Sequence, residues 1–206
     1  MGKHRPAADR QEQILAAALA CFARQGYFET RMDDIVRESG LSKGALYHHF
    51  ASKQEVFMGL FRQFERAIWT GWRATESLPA TVAIERKGAI VLEQVLGIPG
   101  LIGAWIEFLR HPQSRARFAN IYSEARRELA TTIRAGIRAG QLRRCNSTVL
   151  AATITALIEG LILQAMADPG FAAARHWHAG WRMLRDGVAA TDRRPARRQS
   201  SQPTHR

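Results

Sequence analysis

Apolar positions recur along this chain at the three-and-four spacing of helices, and no stretch alternates apolar with polar residues over a strand length. Short Gly or Pro breaks cut the pattern into helix-sized pieces. The first predicted helix runs from about Asp9 to Gln25, with Ile14, Leu15, Ala18, Leu19 and Phe22 on one face and Gly26 at its end. A short helix follows near Met32 to Glu38, with Thr30 and Asp33 at capping-box spacing and Gly40 as its stop. Ser42 caps a third piece, Lys43 to His49, and Ser52 caps a fourth that runs to about Thr75. After Leu78-Pro79 the predicted helices lengthen: Ala80 to Leu96, Gly100 to Leu109, Ser114 to Ala139, Thr148 to Ala167 and Phe171 to Ala189. From Thr191 the chain is Arg-rich and polar, a composition that cannot bury apolar surface. The expectation is an all-α protein: a flexible arm over 1–8, a three-helix unit over 9–55, a helical bundle over 56–190 and a disordered basic tail over 191–206.

The segment Met32 to Phe50 carries the clearest functional signal. Two short helices meet at a tight turn, Gly40-Leu41, where glycine permits a positive φ. Ile35, Val36, Leu41, Leu46 and Phe50 form an apolar seam that fixes their crossing, giving a homeodomain-like helix-turn-helix. The helix opening at Ser42 presents free N–H groups and a positive dipole end, both suited to phosphate. Lys43 adds a full charge there, and Gly44 and Ala45 are small enough for close approach to a groove. Tyr47, His48 and His49 supply hydrogen-bonding groups for phosphate or base edges. Singly, each of these residues reads better as ordinary surface; their crowding onto one short helix after a turn is what points to DNA.

The formal net charge is +12 over 206 residues, which favours polyanionic partners and says nothing about fold. Cys21 and Cys145 are far apart and lack metal-ligand spacing, so they read as free thiols in a reducing cytoplasm. Val149 to Ala167 is apolar enough to raise a transmembrane question, but Thr153, Thr155, Glu159 and Gln164 favour a buried interface helix. Gly40-Leu41-Ser42-Lys43-Gly44 matches the nucleophile elbow of serine hydrolases, yet a polar helix precedes it where that motif needs a buried strand. His176 and His178 stand two apart on a helix and point to opposite sides, so they cannot chelate one ion. No catalytic residues, metal or cofactor are expected.

From Gln11 to Leu60 the chain resembles the DNA-binding domain of the TetR (tetracycline-repressor-like) family. Gly26-Tyr27 with Thr30, Asp34-Ile35, the run Gly40 to Phe50 and Ser52-Lys53 carry the resemblance. It implies that Thr30 and Arg31 contact phosphate, that Ser42, Lys43, Gly44, Ala45, Tyr47 and His48 face the major groove, and that His49 and Lys53 support backbone contacts. Arg31 and Met32 stand where many members have a hydroxyl residue, and Val36 replaces a usual Ala. Further on, IRAGIRAGQLRR followed by ALIEGLILQAM resembles the subgroup that includes the betaine-responsive repressors. The implied function is a cytoplasmic, ligand-responsive repressor that binds palindromic operator DNA as a homodimer and is released by a small-molecule effector. The alternative is an all-helical ligand-binding or scaffold protein that has lost specific DNA readout.

Two further expectations concern the second half. Leu150, Ile154, Leu157 and Leu161 form one stripe of the penultimate helix, and Ala152, Ala156 and Gly160 another of small residues. With Trp177, Trp181, Leu184 and Val188 of the last helix they are candidates for a four-helix dimer interface, or for burial in their own chain. Phe64, Ile68, Trp72, Trp105, Phe108 and Tyr122 are candidate walls of an effector pocket, with Glu107, Glu159 and Gln164 as polar contacts. If buried, Glu159 would need a partner, from the protein or from a cationic ligand, so the expected effector is a mostly apolar small molecule, with a positive charge as one option.

Overall fold

The structure, a computed structural model, describes residues 7–98, Gly103, Ile106 and 112–188. Every regular element among them is a helix: α1 (Ala7–Glu29), α2 (Met32–Ser39), α3 (Lys43–His49), α4 (Lys53–Arg73), α5 (Ala80–Leu96), α6 (Pro112–Arg138), α7 (Ser147–Ala167) and α8 (Ala173–Val188). Residues 1–6 and the tail from 189 lie outside the described residues. So does most of the predicted helix Gly100 to Leu109, of which Gly103 and Ile106 are described and helical.

Local chemistry sets the element ends. Gly26, at φ 81°, kinks α1 where the sequence placed its stop, and one further turn follows to Glu29. The cap of α2 is not the expected Thr30–Asp33 pair. Arg31 is the N-cap, and its backbone N–H donates to Asp34 Oδ2 at 2.8 Å. Gly40 closes α2 at φ 65°, a backbone setting that disfavours any side chain, and donates its N–H to Val36 and Arg37 carbonyls. Ser42 and Ser52 cap α3 and α4 by accepting from Ala45 N–H and Glu55 N–H, each at 3.2 Å. Asn146 caps α7 by accepting from the N–H groups of Thr148 and Val149.

The core is in two parts. The first packs Ile14, Phe22, Ile35, Leu46, Phe50 and Phe57 from α1 to α4, and extends past residue 55 to Phe61, Phe64, Val95 and Phe118. Phe61 of α4 meets Phe118 of α6 edge to face at 4.7 Å, so the N-terminal unit is built onto the bundle through aromatic contact. The second core gathers Trp72, Ile84, Leu129, Ile133, Ile154, Trp177 and Trp181 from α4 to α8. Trp177 is fully buried and its indole N–H donates to the Glu85 carbonyl at 2.9 Å. It lies flat on α5 because residue 88 is glycine: a Cβ there would sit 2.0 Å from its ring.

That packing bears on the residues considered for a dimer interface, for which burial in their own chain is the alternative. Leu150, Ile154, Leu161, Trp177 and Trp181 are buried in their own chain, and Leu157 and Leu184 are partly buried against the same core. The Val188 side chain lies outside the described residues. Large side chains at four-residue spacing on α7 and α8 are thus covered within the one protomer. The face of α7 left in solvent carries Val149, Ala152, Thr153, Ala156 and Leu163. Val149 and Leu163 are 60% and 59% exposed, and Met183 of α8 is 78% exposed. By length and composition α7 is the one described helix able to cross a membrane; Leu150, Ala151, Ile154, Ile158 and Leu161 instead bury one of its faces in the bundle.

Candidate nucleic-acid interface and effector cavity

The turn at Gly40 sets α3 across α2, with Leu46 fully buried beneath it as the anchor. Ser42, Lys43, Gly44, Tyr47 and His48 are exposed on the outer side, while Ala45 and His49 are partly covered. Arg31 is exposed beside this surface at the start of α2. The segment preceding Ser42 is α2, and the Ser42 hydroxyl is occupied as a helix cap.

Two residues assigned to phosphate have other partners. Thr30 is 1% exposed and its hydroxyl donates to the Gly26 carbonyl at 2.7 Å, closing the α1 kink. Lys53 donates to the carbonyls of Tyr27, Phe28 and Thr30 at 2.6, 2.9 and 2.7 Å, and its ammonium sits 4.5 Å from the Tyr27 ring centroid. An ammonium has three N–H donors. Lys53 spends all three on satisfying backbone carbonyls left over by the kink, and so fastens the first turn of α4 to the end of α1. The spacing of a lysine after a serine cap gave no sign of this, because the carbonyls come from a turn more than twenty residues away.

The charge of this unit was also hidden in the total. Residues 9–55 carry six Lys or Arg and seven Asp or Glu, so the surplus behind the +12 lies elsewhere. Three of the six are paired with carboxylates: Arg24 with Glu38 at 3.1 Å, Arg37 with Asp34, and Lys43 with Asp33 at 2.8 Å. The Asp33 hydrogen bond raises the Lys43 pKa. Backbone donation from Arg31, then Gln25 and Arg37, holds the Asp34 carboxyl below its usual value, against a smaller desolvation effect. At the mouth of α3 the carboxylate of Asp33 occupies the place a phosphate would take on Lys43.

A cavity of about 220 Å³ opens between α4, α5, α6 and α7. Phe64, Ile68, Trp72, Tyr122 and Glu159 line it as expected from the sequence. Glu65, Trp69 and Thr155 join them. Glu65 and Trp69 lie on the same face of α4 as the predicted wall residues, so helical spacing alone pointed to them. Gln164 does not line the cavity; its amide donates to the Gly160 carbonyl at 3.3 Å on the exposed side of α7. Trp105, Glu107 and Phe108 lie outside the described residues. Glu159 lines the cavity but, contrary to the expected burial, remains exposed to solvent; the partial desolvation it does meet raises its pKa, against smaller opposing effects of Tyr122 and the Arg126 charge. Desolvation and the Glu159 charge push the Tyr122 phenol well up. The cavity thus holds aromatic faces and one carboxylate with no salt-bridge partner among the described residues, an arrangement that attracts an organic cation. His176 and His178 take separate partners: His176 stacks on Phe171, and His178 pairs with Glu85 at 2.8 Å.

Comparison with known proteins adds the family to this geometry. Residues 14–59 match the description "Bacterial regulatory proteins, tetR family", and residues 100–193 match "BetI-type transcriptional repressor, C-terminal". The chain belongs to the TetR family. Its relatives include a helix-turn-helix transcriptional repressor of Mycobacterium tuberculosis, 30% identical over 127 residues that span 60% of this chain and 62% of that one. The regulator LmrA of Bacillus subtilis is 47% identical over 47 residues, 23% of this chain and 25% of its own. The chain thus spans less than two thirds of the length of these curated relatives. Among solved structures, a regulator from Saccharomonospora viridis in complex with choline superposes with a TM-score of 0.75 at 23% identity, covering 89% of this chain and all of that one. The triclosan complex of SmeT, the repressor of the Stenotrophomonas maltophilia multidrug efflux pump SmeDEF, gives 0.74 at 20% identity over 96% of this chain and 100% of that one. At these identities the structural matches speak for the TetR fold alone.

Proposed function

We propose that this TetR-family protein is a transcriptional repressor that binds operator DNA through α2 and α3 as a homodimer and lets go when a compact organic cation fills the cavity. The observation that carries DNA binding is the outward face of α3: Lys43, Gly44, Tyr47 and His48 exposed around a fully buried Leu46. A helix so presented fits the major groove, and two related by a two-fold axis reach successive grooves about 34 Å apart. The apolar solvent face of α7, Val149 to Leu163, is the surface best suited to the second copy. The choline found in the Saccharomonospora structure supports a quaternary ammonium as effector, alongside the match to BetI-type repressors and in keeping with Glu159, Tyr122 and the Trp walls. No chemical step is proposed at Ser42 or elsewhere.

The test is selection of duplexes from a random pool by the full chain, followed by fluorescence anisotropy on the enriched sequence. Tyr47→Ala and Lys43→Ala should each weaken binding to it while leaving the melting curve unchanged. Leu163→Glu should yield monomers by sedimentation and lose cooperative occupancy of the palindrome. Failure of the wild-type chain to retain any duplex, even at low ionic strength, would favour the ligand-binding or scaffold reading.

A further inference from the structure

The cavity contains a second carboxylate, and it is not free. Glu65 of α4 lines the cavity, is 16% exposed at its side chain, and accepts from Arg117 Nη2 of α6 at 2.8 Å. It is the one ion pair that joins α4 to α6 among the described residues. The pair is incompletely satisfied, since Arg117 Nε is buried without a hydrogen-bond partner. A dehydrated donor left unpaired makes the closed arrangement less secure than its short contact suggests.

Its position matters for the reading head. One turn before Glu65, Phe61 packs on Phe118, the residue after Arg117, inside the core of the N-terminal unit. The start of α4 is bolted to the end of α1 by Lys53. A shift of α4 against α6 is therefore passed to α1 and, through the shared core, to α2 and α3.

We infer that the Glu65–Arg117 pair is the latch through which a cation in the cavity is felt at the DNA-binding helices, a reading that rests on the cationic effector proposed above. A positive charge in the cavity attracts Glu65 and repels Arg117, so it binds better to the state in which the pair is open. That differential affinity is what a ligand needs in order to move a conformational equilibrium. The other charges nearby do not substitute for the pair. Glu159, with Tyr122 and the Arg126 charge acting on it, would hold the cation without bridging α4. Lys87, buried beneath Trp72, is engaged by Glu128 and Thr132. Reciprocity follows: DNA, by holding the latch closed, weakens the cation by the same factor.

The experiment uses full-length protein, the selected operator duplex, and choline and tetramethylammonium as probes. Calorimetry reads cation binding, and anisotropy reads DNA binding with and without saturating cation. In wild type the cation should weaken DNA binding by a factor in the range of about 5 to 150 that separates coupled sites. Arg117→Gln and Glu65→Gln should each still bind choline through Glu159, bind the duplex more weakly than wild type in its absence, and respond to choline by less than about twofold. The exchange Glu65→Lys with Arg117→Glu should restore DNA affinity without restoring the choline response. A folded Arg117→Gln or Glu65→Gln protein whose choline response equals that of wild type would overturn the latch while leaving the cationic effector standing. Wild-type protein that binds neither probe would overturn the effector reading and the latch with it. Should Arg117→Gln fail to melt cooperatively, Glu65→Gln decides the matter, since it keeps shape and both oxygen and nitrogen hydrogen-bonding groups.

Discussion

Lys87 offers a quantitative test of how the bundle is held. Its side chain is 2% exposed, and its ammonium lies 2.7 Å from Glu128 Oε1, 3.0 Å from Thr132 Oγ1 and 5.1 Å from the Trp72 ring centroid. Its backbone carbonyl also accepts the Trp72 indole N–H at 3.0 Å, a contact that survives any substitution of the side chain. Two perturbations of the same pair should differ sharply. Glu128→Ala strands a buried cation with one hydroxyl and an aromatic face. Removal of one partner from a buried pair typically costs about 3–5 kcal/mol, and because the Glu128 side chain is itself 40% exposed, water offsets part of that, leaving about 2–3 kcal/mol. Lys87→Met keeps the length and the contact with Trp72, abolishes the buried charge, and leaves Glu128 free to turn to solvent; it should fall within about 1 kcal/mol of wild type. In the double variant, Glu128→Ala should then cost less than about 0.5 kcal/mol. Urea unfolding followed by tryptophan fluorescence, at one fixed protomer concentration, measures all three. If Lys87→Met were as damaging as Glu128→Ala, the pair would be holding the helices through packing, and the charge reasoning would be wrong.

Three further outcomes are expected. Gly88→Ala drives a methyl to 2.0 Å from the fully buried Trp177 ring, whose indole is tied to Glu85; a loss of about 3 kcal/mol in chemical denaturation is expected, against a small effect for Gly160→Ala, where no atom stands within 4 Å. The Glu159 pKa is raised above its ordinary value, so the folded protein takes up that proton before the unfolded chain does, and this group's ionisation opposes folding above the raised pKa. Because Glu159 is exposed to solvent, Glu159→Gln should change the melting temperature little, but it should lose cation binding, while the wild-type affinity for choline should fall as pH drops through the raised value; a Glu159→Gln protein with unchanged choline affinity contradicts this. Asp33→Asn frees Lys43 for phosphate, so the plot of log affinity against log salt should steepen by about 0.9 per half-site, and an unaltered slope would show that Asp33 and Lys43 part without consequence.

Much of the fold was legible because the breaks are local chemistry. Gly26, Gly40, Ser42 and Ser52 act within one turn of themselves, and α3 and α5 have the ends the sequence gives them. The seam of Ile35, Leu46 and Phe50 is buried for the same reason, since residues at helical spacing on two short helices have only each other to cover them. Harder to read was anything that depends on partners distant in sequence. Lys53 looks like a phosphate ligand until the turn at the end of α1, more than twenty residues back, brings carbonyls to it, whereas the Thr30 hydroxyl is taken up locally by the Gly26 carbonyl. Trp177 looks like an interface residue until Gly88, far away on α5, makes a slot for it. Half of the cavity was visible as an α4 stripe, whereas the partner of Glu65 could not be paired from sequence, because α6 arrives from fifty residues downstream.

The near-neutral charge of residues 9–55 has a consequence for search along a genome. Attraction to random DNA scales with the number of phosphates a protein neutralises. The helices proposed to read the operator carry few spare cations; the excess belongs to the bundle and to the segments at either end, where 191–206 alone hold five Arg against one Asp. If the proposed reading holds, how long the protein lingers on any duplex and which duplex it prefers are set by different stretches of the chain, and evolution or an engineer could adjust one without rewriting the other.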